Sequence, residues 1–241
     1  KGEDTGWGEQ PKVQLLIRHP DEVFVERAED AWPIPRTEWT EMYLDPAGKT
    51  LSDAPMADAQ SFTYEAMGDG ATFLAPPVAQ ETEITGPVAA KLFISSETED
   101  ADLFLVLRVF KPDMKEVVYK GANDPHTPVG LGWLRASHRK LDPDQTLPYR
   151  PYHAHDEVQP LTPGEIYELD IEIWPTSIVL PEGYRLGLSV RGRDYVYPGW
   201  TPGDPMIANR VQYGVGPFKH EMPSNRPLDV YGKKVTLHTG P

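Results

Sequence analysis

Tyr167-Glu168-Leu169-Asp170-Ile171-Glu172-Ile173-Trp174 alternates apolar and acidic residues from Tyr167 to Ile173. Successive side chains of an extended strand point to opposite faces, so the apolar set shares one face and the carboxylates the other. The stretch predicts a half-buried strand of an antiparallel sheet. Ala90-Lys91-Leu92-Phe93-Ile94-Ser95 repeats the pattern. By contrast, Leu103-Phe104-Leu105-Val106-Leu107-Arg108-Val109-Phe110 is apolar on both faces, which suits a central strand covered on both sides or lying at an interface. Working outward, strands are expected at Val13–Arg18, Val23–Arg27, Thr40–Leu44, Ser61–Tyr64, Glu116–Tyr119, Arg185–Arg191 and Lys233–His238. Turns fall at Asp45-Pro46-Ala47-Gly48, Pro112-Asp113 and Pro181-Glu182-Gly183, where Pro and Gly supply the backbone angles tight turns need. With 26 Pro and 20 Gly, few windows remain for a helix. Short strands joined by long connections (Asn123–Gly130, Asp142–Gln159, Tyr195–Pro227) fit an all-β jelly-roll sandwich better than a meander.

At 241 residues the chain can bury a sizeable core without staples. It contains no Cys, which excludes disulfides, thiolate metal sites and Cys nucleophiles. Its 23 basic and 37 acidic side chains give a net charge of −14, which repels phosphate backbones and anionic lipid, so neither nucleic acid nor membrane is an expected partner. No apolar run approaches the roughly 20 residues of a membrane span. Lys1-Gly2-Glu3-Asp4 does not resemble an export signal, from which a cytoplasmic location is expected. The first residue is not Met, from which a fragment or a processed product is expected.

The chemistry-bearing patterns are sparse. Gly-x-Ser-x-Gly, whose glycines permit the strained elbow beneath a serine nucleophile, is absent. Gly187-Leu188-Ser189-Val190-Arg191-Gly192 has the wrong spacing and lies in a predicted strand, so Ser189 is read as structural. No phosphate-cradling Gly-rich loop occurs. His153-Ala154-His155 could set two imidazoles on one face, but Gln159 and Pro160 stand where a cupin-like metal site would carry its Glu, and a surface hydrogen-bonding role is favoured. Glu97-Thr98-Glu99-Asp100-Ala101-Asp102 lacks the spacing of a calcium loop and is read as a solvated turn. No catalytic residue, metal or cofactor is expected. The strongest recognition candidates are Tyr195, Tyr197 and Trp200, aromatics on a Pro/Gly-braced loop that either face a partner or cleft, or cap the sandwich core.

Several separated stretches carry a resemblance. Gly132-Trp133-Leu134-Arg135-Ala136-Ser137-His138-Arg139, Pro163-Gly164-Glu165-Ile166-Tyr167, Trp174-Pro175-Thr176-Ser177 and Gly183-Tyr184-Arg185-Leu186-Gly187-Leu188-Ser189-Val190 resemble the C-terminal, non-catalytic domain of X-prolyl dipeptidyl-peptidases and cocaine-esterase-like (CocE/NonD, peptidase S15) serine hydrolases. The resemblance implies that residues 1–36 are the tail of, and linker from, an α/β-hydrolase domain and include the first strands. Residues 37–241 then form the C-terminal jelly roll, a β-sandwich of galactose-binding-domain-like type. It also implies that the catalytic Ser, Asp and His lie in that hydrolase domain, which cleaves esters, amides or X-Pro peptides. This domain would pack against it and shape its cleft. A loop that often reaches the cleft in such proteins corresponds to Tyr64–Ala71, which is short here. The expected partner is the hydrolase domain, and a homo-oligomer is a second partnership left open. The rivals are a free-standing carbohydrate-binding module and a small metal-dependent jelly-roll enzyme.

Overall fold

The computed structural model describes residues 2–121, 126–197 and 226–240. Thirteen strands occur among them: β1 (Val13–His19), β2 (Val23–Glu29), β3 (Tyr43–Asp45), β4 (Thr50–Ser52), β5 (Gln60–Glu65), β6 (Ala71–Leu74), β7 (Thr82–Ser96), β8 (Asp102–Phe110), β9 (Glu116–Val117), β10 (Gly130–Arg135), β11 (Tyr167–Leu180), β12 (Arg185–Arg191) and β13 (Lys234–Thr239). One α-helical turn, α1, spans Leu228–Tyr231 among the described residues. The strands form two sheets, β2-β1-β11-β7-β13-β5 and β10-β8-β12-β6-β4-β3, with β9 beside β8.

The order within the sheets defines the topology. Counting β5, β6, β7, β8, β10, β11, β12 and β13 as first to eighth, the first sheet holds the first, eighth, third and sixth side by side. The second sheet holds the second, seventh, fourth and fifth. Chain-adjacent strands mostly alternate between sheets, and this interleaving is a jelly roll, two Greek keys folded face to face. The β1–β2 hairpin extends the first sheet past β11, and β3–β4 extends the second past β6.

Leu169, Ile171 and Ile173 of β11 are buried in the inter-sheet core while Glu168 is exposed, as the alternation requires. The parity of the inward-facing set then reverses: Thr176, Ile178 and Leu180 are 0–3% exposed, and Val179 between them is also buried, at 5%. A register shift between Ile173 and Thr176 accounts for this: Pro175 lacks the N–H for the ladder, and the bulge that absorbs it re-aims the rest of the strand. Strand β8 is buried on both faces. Leu103, Leu105, Leu107 and Val109 point into the core, and Val106 belongs to a second apolar cluster on the other side.

Strands β4, β6 and β10 are not visible in the residue pattern. The first two are only three and four residues long, and β10 carries Gly130 and Gly132, which disfavour a strand by propensity. The fold needs the second glycine: a Cβ on Gly132 would collide with the Glu172 carbonyl oxygen of β11, where the sheets close on each other at their edge. The expected strand Glu116–Tyr119 is shortened to β9, and Thr40–Leu44 narrows to β3.

Candidate functional site

The outer face of the second sheet concentrates the buried charge. Asp102 at the start of β8 receives a bidentate hydrogen-bonded ion pair from Arg135 of β10, Nε to Oδ1 at 2.8 Å and Nη2 to Oδ2 at 2.9 Å. Arg226 Nε lies 2.9 Å from the same carboxylate, and both side chains are almost fully buried. The Arg226 guanidinium also donates to the Gly192 carbonyl and covers the Phe104 ring at 5.3 Å. Further along β8, Arg108 grips Glu116 at 2.9 and 2.5 Å. Burial works against charge on Arg108, but the Glu116 carboxylate outweighs it and holds the guanidinium more firmly protonated than usual.

The segment after β12 closes over this lattice. Arg191 and Arg193 both donate to Asp69, Arg193 through contacts of 2.9 and 2.5 Å. Burial alone would raise the Asp69 pKa, yet the two guanidiniums hold it below the ordinary carboxylate value. Gly192 fits against the backbone of Ala66, its N–H bonded to the Gly68 carbonyl at 3.0 Å. The chain therefore arrives with Tyr195 turned inward. Its ring is 1% exposed against Val106 and Leu131, with Arg108 5.6 Å and Arg191 6.0 Å from its centroid. Burial and the neighbouring Glu116 push its phenol pKa far up, so it stays neutral.

Of the three aromatic candidates, Tyr195 is thus buried within the domain. Tyr197 is half-buried and stacks on His126, centroids 4.3 Å apart and planes 6° apart. Trp200 lies outside the described residues. Ser189 is fully buried on β12, 2.7 Å from Thr72 Oγ1 and 3.3 Å from Arg108, as a structural strand residue should be. His153 and His155 have ring centroids 6.1 Å apart, and His138 joins them 5.8 Å from His155. Burial and His155 both lower the pKa of His153. Among the described residues, no group of three His, Cys, Asp or Glu is arranged to hold a metal ion.

The acidic run departs from its reading as a solvated turn. Glu97 and Glu99 are exposed, but Asp100 and Asp102 are buried. Asp100 accepts from the Ser137 hydroxyl at 2.7 Å, the Ser137 and Ala101 amides at 2.9 Å each, and the Tyr231 hydroxyl at 2.9 Å. Ser137 and Tyr231 lie 37 and 131 residues away, and local spacing carries no trace of them. A cleft of about 240 Å³ opens here between Arg135, Ser137, Val158, Pro227 and Tyr231.

One Ser–His contact escaped the residue pattern: Ser95 Oγ lies 2.8 Å from His238 Nε2, across β7 and β13. Ser95 is buried and His238 half-buried, and no hydrogen-bonded carboxylate orients the imidazole among the described residues. A nucleophile needs that third partner and an oxyanion hole. The pair reads as a cross-strand hydrogen bond.

Comparison with known proteins agrees with this architecture. A family model described as the X-Pro dipeptidyl-peptidase C-terminal non-catalytic domain matches residues 5–212. A CocE/NonD family hydrolase of known structure from Staphylococcus aureus superposes with a TM-score of 0.82 at 26% identity, over 100% of this chain and 41% of its own. A candidate serine esterase of Mycobacterium bovis is 28% identical and the cocaine esterase of a Rhodococcus species 24% identical, over 84% and 81% of this chain. The chain spans 36% of the length of each of these two relatives. With most of its length matched by that family model, and its jelly roll superposing on part of a longer CocE/NonD family hydrolase, the chain belongs to the X-Pro dipeptidyl-peptidase C-terminal non-catalytic domain family.

Proposed function

We propose that this domain packs on an α/β-hydrolase domain of the same polypeptide and walls its substrate cleft, while the hydrolase domain supplies the serine nucleophile for cleaving an ester, amide or X-Pro peptide bond. The observation that carries the reading is the ion-paired outer face of the second sheet. Five arginines (Arg108, Arg135, Arg191, Arg193 and Arg226) and three carboxylates (Asp69, Asp102 and Glu116) brace an aromatic segment, which is costly to build for a domain with no partner to orient. A wall of this kind contributes shape and water exclusion to a cleft, not a reacting group.

Two measurements test it together. The chain alone leaves p-nitrophenyl esters intact, because its sequence carries no Gly-x-Ser-x-Gly elbow to present a nucleophile. In the full-length protein, Tyr197→Ala weakens domain packing or raises KM by removing contact area. Turnover by the repurified chain that survives Ser189→Ala would overturn the assignment. Retention of the chain on an insoluble polysaccharide would mark a carbohydrate-binding module instead.

A further inference from the structure

Two exposed aromatic side chains, Phe24 and Trp174, and two half-buried ones, Trp133 and Tyr197, gather around the connection from β9 to β10. Phe24 of β2, 45% exposed, lies 6.2 Å from the Tyr119 ring. Tyr119 exchanges two backbone hydrogen bonds of 2.9 Å with Thr127. The preceding residue, His126, carries the stacked Tyr197. The same connection enters β10, where Trp133 meets Trp174 of β11 edge to face at 5.2 Å. Trp174 is 59% exposed. Arg18 fastens the β1–β2 hairpin to this rim: it donates to the Val129 carbonyl at 2.8 Å and to Thr176 Oγ1 at 2.5 Å, and sits 4.9 Å over Tyr119. Trp133 and Tyr197 both rest on the buried cluster of Val106, Leu131 and Tyr195. The rim is therefore one braced surface assembled from segments far apart in sequence.

We propose that this rim, formed by Phe24, Trp133, Trp174 and Tyr197, is the surface through which the domain docks on its hydrolase domain. The proposal rests on the reading above that such a domain is the partner, and it adds the face. Contiguous exposed apolar side chains mark interaction surfaces, and Trp and Tyr are the residues that carry interface energy. The occupant follows from elimination and size. A sugar stacks on open ring faces, but Trp133 and Trp174 meet edge to face and one face of Tyr197 is taken by His126. A second copy would bring another net charge of −14 against this one. The matched hydrolase, by contrast, has more than half its length outside the aligned part, enough for a large partner in the same polypeptide.

Hydroxyl-radical footprinting of the full-length protein tests the face. Trp39, 56% exposed and outside the rim, serves as the reference for Trp174. Docking through the rim makes Trp174 oxidise several-fold more slowly than Trp39. It also makes Trp174→Glu open the interdomain boundary to limited proteolysis with unchanged circular dichroism. Equal oxidation of the two tryptophans overturns the proposal. If Trp39, or Phe93 on the outer face of the first sheet, is the protected residue, the rim assignment fails and the hydrolase-domain reading stands. If no side chain of this domain is protected, both fail.

Discussion

Tyr195 is where the outer face of the second sheet closes, and its surroundings decide how a substitution there should behave. The ring is buried on Val106 and Leu131, and two guanidiniums face it. Tyr195→Ala removes that filling and leaves a cavity above β8, so a loss of about 3–5 kcal/mol is expected in denaturant unfolding of this chain. A loss below about 1 kcal/mol would show that the segment seats without the ring. The sequence drew attention to Tyr195 because an aromatic on a Pro/Gly-braced loop is conspicuous. It could not say whether the ring faced in or out, since a loop has no periodicity to define an inner side. Asp102 and Arg226 were harder still. Their ion pair joins positions 124 residues apart, and neither residue type announces burial.

At the scale of elements, alternation was the dependable signal and close approach the invisible one. The period-two pattern of β11 identified its core face, and the doubly apolar β8 announced its two covers. What the pattern missed depends on neighbours: the parity reversal at Pro175, the glycine strand β10, and the seating of the post-β12 segment on residues 66–70. Gly192 tests the last of these. A methyl group there would collide with the Ala66 carbonyl, so Gly192→Ala must push apart the two segments that Asp69 and Arg193 tie together. The expected cost is about 1–3 kcal/mol by overpacking. The Tyr195 environment should loosen with it, read as a rise in acrylamide quenching of the chain's aromatic fluorescence. Unchanged stability and quenching would mean that the loops do not bear on each other.

The described residues form a two-sheet core with an ion-paired outer face, and stability should depend on pH through two histidines outside that ion-paired network, His153 in the β10–β11 connection and His238 on β13. Burial holds the pKa of His153 and of His238 below the usual imidazole value of 6.5. Both are then neutral in the folded state where the unfolded chain already binds protons. Their contribution is fully present above about pH 6.5 and is lost as pH falls through the lowered values. A melting temperature that drops between pH 7 and 5, and drops less in His153→Asn, is the expected result. An unchanged slope in the variant would assign the dependence elsewhere. The sequence by itself determined the all-β class, the main core strands, the absence of a serine-nucleophile elbow and the family. These follow from local alternation, from turn residues and from short runs of neighbouring residues. Only the tertiary structure decided the jelly-roll strand order, the burial of Tyr195, the Asp100 and Asp102 networks and the aromatic rim. Each of these depends on contacts between distant segments, whose partners are chosen by how two sheets close on one another and not by any spacing along the chain.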